Sequence, residues 1–274
     1  MERPSTVSSV SPKDPSSTRR SGFTLVELLA VIMIIALLAG LVTPAVMRAR
    51  NSARNAAIRA EIDMLHMAIM NYKNEYGSFP PAYDLNPNVA GSVTAKHLQR
   101  LFPRCTNIVG ASGQLRNAQQ IMPTSALASW LLGYRNDPQS PLIDPANPTV
   151  PATDRKKLFD FEQTRLSGSS YAPAGKKGSP YIYIDSTSYG LVPYDSTNTA
   201  DVGAQRVPLI PPPTATAQDF GTVIPVPTSP APQPFFNADT FQILCAGQDE
   251  EFGTDDDLSN FWKGTRKEYM DSLK

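Results

Sequence analysis

The chain has 274 residues, with 25 basic and 25 acidic side chains, two cysteines, two histidines and 26 prolines. That length can bury a real core in one large or two small domains. The charge balance excludes a protein that holds nucleic acid through bulk basic excess. Two cysteines exclude a disulfide-dense scaffold and an all-cysteine metal site, and two histidines leave little for histidine-based catalysis. Proline stands at nearly twice its usual share of roughly 5%, which points to long irregular stretches.

Residues 1–22 form a polar, serine-rich leader ending in Arg19-Arg20-Ser21-Gly22. Residues 23–47 are then apolar except for Thr24, Glu27, Thr43 and Pro44. About 17–25 mainly apolar residues suffice for a membrane-spanning helix. Three readings of this segment compete. A secretory signal peptide could use Thr43-Pro44-Ala45 as its cleavage site, but the apolar run exceeds the usual 7–15 residues and contains a carboxylate. A plain signal anchor has no use for Glu27 either. A charge at the centre of a spanning segment costs on the order of 2.5–3.5 kcal/mol, and less near an end, so it is kept for a partner. A cut between Gly22 and Phe23 would create an α-amine four residues before Glu27. Amine and carboxylate at matching depth on two such helices would neutralise each other and set the stagger of an assembly.

The run Gly22-Phe23-Thr24-Leu25-Val26-Glu27-Leu28-Leu29 resembles the class III leader motif of type IV pilins and of type II secretion pseudopilins. The resemblance implies that a prepilin peptidase cuts after Gly22 and methylates Phe23, and that Glu27 guides the subunit into a filament. Pro44 falls where that family has its helix-bending proline. The implied setting is the bacterial inner membrane, crossed once, with the C-terminal domain in the periplasm. Implied partners are further copies of the chain, an inner-membrane assembly platform, minor pseudopilins and membrane lipid. Arg3, Lys13, Arg19 and Arg20 before the apolar run balance Arg48, Arg50, Arg54 and Arg59 after it. The positive-inside rule is therefore a tie, and this orientation rests on the resemblance.

Residues 48–77 continue the helix as an amphipathic segment. Ile58, Ile62, Leu65, Ile69, Tyr72 and Tyr76 step by three and four, forming one bulky apolar stripe. Ala49, Ala53, Ala56, Ala60, Met64 and Met67 form a second stripe roughly opposite, with Arg59, Asp63, His66 and Lys73 flanking. The bulky stripe is expected to pack on the chain's own domain and the Ala/Met stripe to face other subunits; burial of both in a monomeric core is the plainer alternative. A helix from Phe23 to Tyr76 would be about 80 Å long. The Pro44 ring meets the Gly40 carbonyl, so a bend or an unwound stretch is expected there. Gly77 and Phe79-Pro80-Pro81 should end the helix.

Residues 78–274 read as the globular domain. Ser125–Leu132, stopped by Gly133, suggests a short helix with Trp130 buried. Tyr181–Ile184 and Thr240–Leu244 read as strands, with Tyr189–Val192 as a third. Nine prolines in 207–234 rule out a central strand or helix and indicate an extended loop. The fold class expected is α+β: a pilin-like long N-terminal helix, spanning the membrane in its first half, packed on a small antiparallel sheet with long Pro-rich loops. Cys105 and Cys245, a single pair, could bond in an oxidising periplasm, or could be two unrelated buried thiols.

After the last strand, Asp249, Glu250, Glu251, Asp255, Asp256 and Asp257 crowd into nine residues. Such a run is either a solvated turn or a site for a hard cation. The spacing is not that of an EF-hand. The segment resembles a shortened calcium loop of the major pseudopilin, the G subunit of type II secretion. That likeness implies calcium ligands at Asp249, Asp255 and Asp257, with Gly247 and Gly253 as the loop glycines.

No nucleotide-binding, hydrolase or metalloprotease motif is present, so no catalytic residue is expected and the chain is read as a non-enzyme. The expected role is a structural pseudopilin of type II protein secretion. One alternative is a type IV pilin or competence pseudopilin, which a basic surface patch would favour. The other is a membrane-anchored periplasmic binding or enzymatic domain, which a deep polar pocket would favour. Nucleic acid is not an expected partner.

Overall fold

The computed structural model describes residues 23–115, 120–145, 147–175, 179–189, 236–237 and 239–272. The leader 1–22 with Gly22, the Pro-rich loop 207–234 and residues 190–192 of the expected third strand lie outside them. The chain divides into two units, residues 1–50 and 51–274. Helix α1 (Leu25–Tyr76) contributes to both and is uninterrupted over its 52 residues.

In the first unit every described residue is exposed. The large apolar side chains between Phe23 and Met47 are 46–79% exposed, on a helix long and apolar enough to cross a membrane. Helical geometry continues through Gly40 and Pro44, so no unwound stretch separates them. Proline has no amide to offer the Gly40 carbonyl. One turn of local support comes instead from Thr43, whose hydroxyl donates to the Ala39 carbonyl at 2.7 Å.

The second unit is organised around the C-terminal half of α1. Ile58, Ile62, Leu65, Ile69 and Tyr72 are buried as the three-and-four stepping requires, each large side chain contributing about 1.5–3 kcal/mol of apolar burial. Ala53, Ala56, Ala60, Met64 and Met67 on the other side are exposed. The helix stops where Gly77 takes φ +82° and its amide donates to the Lys73 carbonyl at 2.7 Å, a left-handed cap that glycine adopts without strain. The following extended run is sewn down by side chains. The Tyr183 hydroxyl donates to the Pro80 carbonyl, the Trp130 indole to the Pro81 carbonyl, and the Ala82 amide to Asp185, all at 2.8 Å.

Three short helices follow, α2 (Val93–Leu101), α3 (Ile108–Gly113) and α4 (Ala126–Leu131). Then come two small antiparallel pairs, β1 (Ile143–Asp144) with β2 (Asn147–Pro151) and β3 (Leu166–Ser167) with β4 (Ser170–Tyr171). The main sheet is antiparallel in the order β5 (Ile182–Asp185), β6 (Phe241–Cys245) and β7 (Leu258–Ser259), and α5 (Arg266–Asp271) closes the described chain. Every residue of these three strands is buried. Helix α1 meets the sheet where the His66 ring packs tilted against Phe241, ring centroids 4.8 Å apart, and where Asn260 bonds His66 Nδ1 at 3.2 Å. The architecture is thus α+β, a long N-terminal helix with small antiparallel sheets.

Several details differ from the sequence reading. Tyr189 follows a 3₁₀ turn at Ser186–Ser188 and is not in a strand. The third strand is β7 instead, two residues that follow directly on the acidic turn and are too short to show an alternation. Helices α2, α3 and α5 were not expected. Cys105 and Cys245 are both buried and are not joined to each other; Cys245 ends β6 inside the sheet and Cys105 lies just beyond α2.

Candidate functional site

The N-terminal end of α1 is built from the motif residues themselves. Thr24 is the residue before the helix, and Glu27 is the third residue inside it. The Thr24 amide and hydroxyl both donate to Glu27 Oε2, at 2.9 and 2.8 Å, while the Glu27 amide donates to the Thr24 hydroxyl at 3.2 Å. This is a capping box, which satisfies amides left without a helical partner. It holds the Glu27 carboxylate one residue from Phe23, whose side chain is 79% exposed. A carboxylate in that place can accept from its own chain or from an amine brought beside it.

Two buried polar clusters fasten α1 to the rest of the second unit. In the first, Glu61 is only 8% exposed although charged. Its Oε2 accepts from Arg165 Nη2 at 2.5 Å and from the Tyr181 hydroxyl at 2.6 Å, and its Oε1 accepts from the Tyr171 hydroxyl at 2.8 Å. The Arg165 guanidinium also lies 4.5 Å over the Tyr171 ring. Burial, followed by the bond to Glu61, pushes the Tyr171 phenol well above its usual range, so it stays a donor. Nearby, Arg59 Nη2 donates to the carbonyls of Trp262 and Gly264, both at 2.7 Å.

In the second cluster, the Tyr72 hydroxyl bonds His97 Nε2 at 2.8 Å and the Tyr134 hydroxyl at 2.6 Å. Trp130 packs edge-on against His97, centroids 5.1 Å apart. Burial, with the nearby Arg100 charge, lowers the His97 pKa to about 4. Neither cluster was anticipated. Glu61 sits three residues after Ile58 and four before Leu65, so a charge standing on the apolar stripe was the available signal.

The acidic turn is closed by its own backbone. Asp256 Oδ2 accepts from the amides of Gln248 and Asp249, and Asp256 Oδ1 from the Thr254 hydroxyl. Asp257 Oδ2 accepts from the Gly253 amide at 2.7 Å, and Asp249 Oδ1 from the Glu251 amide at 2.9 Å. The Arg266 guanidinium donates to the Gly253 carbonyl. Gly247 permits the close approach, since a Cβ there would lie 2.2 Å from the Asp256 carbonyl oxygen. Asp257 is fully buried and its Oδ1 has no hydrogen-bond partner. Burial pushes its pKa up to about 7; the Gly253 amide and Arg266 pull it down, while Asp256 and Asp249 push it further up. The orphaned oxygen fits a hard cation in donor chemistry. However, Asp249, Asp255 and Asp257 do not converge: among the described residues no three Asp, Glu, His or Cys side chains are gathered to hold a metal.

The chain matches the family model of the prokaryotic N-terminal methylation motif over residues 17–43. No curated protein and no solved structure matches it. The matched stretch contains Gly22, Phe23, Glu27 and Gly40, and it ends one residue before Pro44. The match covers 27 of 274 residues; it indicates a prepilin-type N-terminus on an apolar helix compatible with a single-pass membrane anchor.

Proposed function

We propose that the chain is a structural pseudopilin of type II protein secretion. In this reading it is made as a precursor, cut between Gly22 and Phe23, N-methylated on Phe23 and assembled from the inner membrane into a periplasmic filament. The observation that carries the reading is the methylation motif laid on a helix whose apolar half, residues 23–47, is wholly exposed and contains a single carboxylate, Glu27. A buried apolar helix would signal a core element; an exposed one needs a lipid or a protein partner. An amine at Phe23 of one copy facing Glu27 of another would add an ion pair between opposite charges to the hydrogen bonding of that carboxylate. The chain has no motif for binding ATP, so work would come from partner ATPases and an assembly platform.

The discriminating experiment is Glu27→Val in the full-length precursor. Processing to a methylated Phe23 should continue, and sedimentable filaments should be lost. Filaments that survive the change would remove Glu27 from assembly.

The resemblance implies a calcium ion at Asp249, Asp255 and Asp257; because these side chains do not converge, binding there would require the turn to draw them together. Thermal melting of the full chain with calcium and with chelator tests this: a ligand at 100 times its Kd adds about 2.7 kcal/mol. An unchanged midpoint would leave the turn as a self-closed acidic loop.

A further inference from the structure

Residues 85–136 contain five Lys or Arg and no Asp or Glu, in a chain whose net charge is zero. Helix α2 displays part of this excess. Lys96 and Arg100 are exposed one helical turn apart, and Arg104 is exposed at the same spacing just beyond the helix. None of the three is in an ion pair among the described residues. Lys96, Gln99 and Arg100 rim a cleft of about 470 Å³ floored by Ala95, Ile108 and Val109. It is an apolar hollow with a basic edge.

The opposite charge lies at the other end of the same unit. Residues 249–271 carry eight acidic side chains against three basic ones, with Asp249, Glu251 and Asp255 exposed. The turn is located along α1 by Gln248, whose side chain accepts from Arg54 and donates to Asn55, both at 3.0 Å. Helix α2 is located by His97 on Tyr72 and by Phe102, whose ring centroid is 6.4 Å from that of Tyr76. From Arg54 to Tyr72–Tyr76 the helix climbs about 27–33 Å. The acidic turn and the basic face of α2 therefore lie at different heights along the second unit.

We propose that the basic face of α2 receives the acidic turn of a second copy, joining copies head to tail along α1. This inference rests on the filament reading above and adds the surface that sets subunit spacing. Joined head to tail, the two patches make a heterologous contact, which propagates as an open filament where the rotation between copies does not close a ring. Charge balance favours a second copy over nucleic acid: the chain supplies its own acidic complement and has no bulk excess to neutralise phosphates. Exposed ion pairs are individually weak and screened, so the contact needs several of them and falls off with salt.

The test uses full-length chain in cells that assemble filaments, with sedimentable filament as the readout. Lys96→Glu/Arg100→Glu and Glu250→Lys/Glu251→Lys should each cut filament about tenfold or more, because like charges then face each other. The fourfold variant should recover to within about twofold of the parent. The milder Lys96→Gln/Arg100→Gln pair should lose less than the reversal, and unchanged melting midpoints would show that the folds survive. Filament indifferent to either reversal, or a fourfold variant that fails to recover, would overturn the contact. Binding of a short DNA duplex that the α2 reversal abolishes while filaments persist would assign the face to nucleic acid instead. If the processed parent chain makes no filament at all, the filament reading itself fails.

Discussion

The carboxylate of Glu61 offers the sharpest energetic prediction. It is buried, carries a charge, and is satisfied only because Arg165, Tyr171 and Tyr181 all aim at it, at 2.5, 2.8 and 2.6 Å. Glu61→Ala removes the acceptor and leaves a guanidinium and two phenols facing a cavity. Removing one partner of a buried pair costs about 3–5 kcal/mol, far more than the pair contributes net, because the remaining charge stays buried without compensation. At about 2–4 °C per kcal/mol for a unit of 150–250 residues, the melting midpoint should fall by roughly 6–20 °C. The assay is thermal unfolding of the mature full chain in detergent, with Glu61→Gln as the isosteric control. Gln keeps the shape but turns a donor toward a ring of donors, so it should recover only part of the loss. Arg165→Met in the Glu61→Ala background should then cost less than Arg165→Met alone. A loss below about 1 kcal/mol for Glu61→Ala would refute the view that this cluster fastens α1.

Protonation of His97 should set an acid limit on stability. Its folded pKa of about 4 lies below the usual value near 6.5, so the fold favours the neutral ring bonded to Tyr72. The stabilising effect is present above about pH 6.5. It is lost as pH falls from there toward about 4, by which point the loss amounts to about 3 kcal/mol. Denaturant titrations across that window should show the slope, and His97→Asn should flatten it. Cys105 and Cys245, both buried and not bonded to each other, should resist alkylation in the native chain and react as two thiols after unfolding without reductant. Reductant should leave the melting midpoint unchanged; a drop of several degrees would mean that a disulfide had formed.

Periodic features of the sequence translated well into structure. The step of three and four from Ile58 to Tyr72 is a local signal, and the buried stripe followed it. The glycine stop at Gly77 was equally legible, because a positive φ at a helix end is a requirement of one residue. The fastening clusters were hidden because their partners are remote: Glu61 meets residues 104, 110 and 120 positions away. Only a charge on an apolar stripe hinted at them. Short elements escaped for a different reason. Helix α3 has six residues held by the Asn107 side chain on the Gly110 amide, and β7 has two residues, so neither is long enough for a periodic pattern. The basic row on α2 needed a count of acids across half a hundred residues, which residue-by-residue motif reading does not perform.

Under the proposed function, the chain is a prepilin whose role begins with a cut after Gly22. Intact-mass and N-terminal peptide mass spectrometry of the protein recovered from membranes tests it directly. The expected chain begins at Phe23 and carries one added methyl group on its α-amine. A terminus beyond Ala45, or an uncut leader in cells that contain prepilin peptidase, would contradict it.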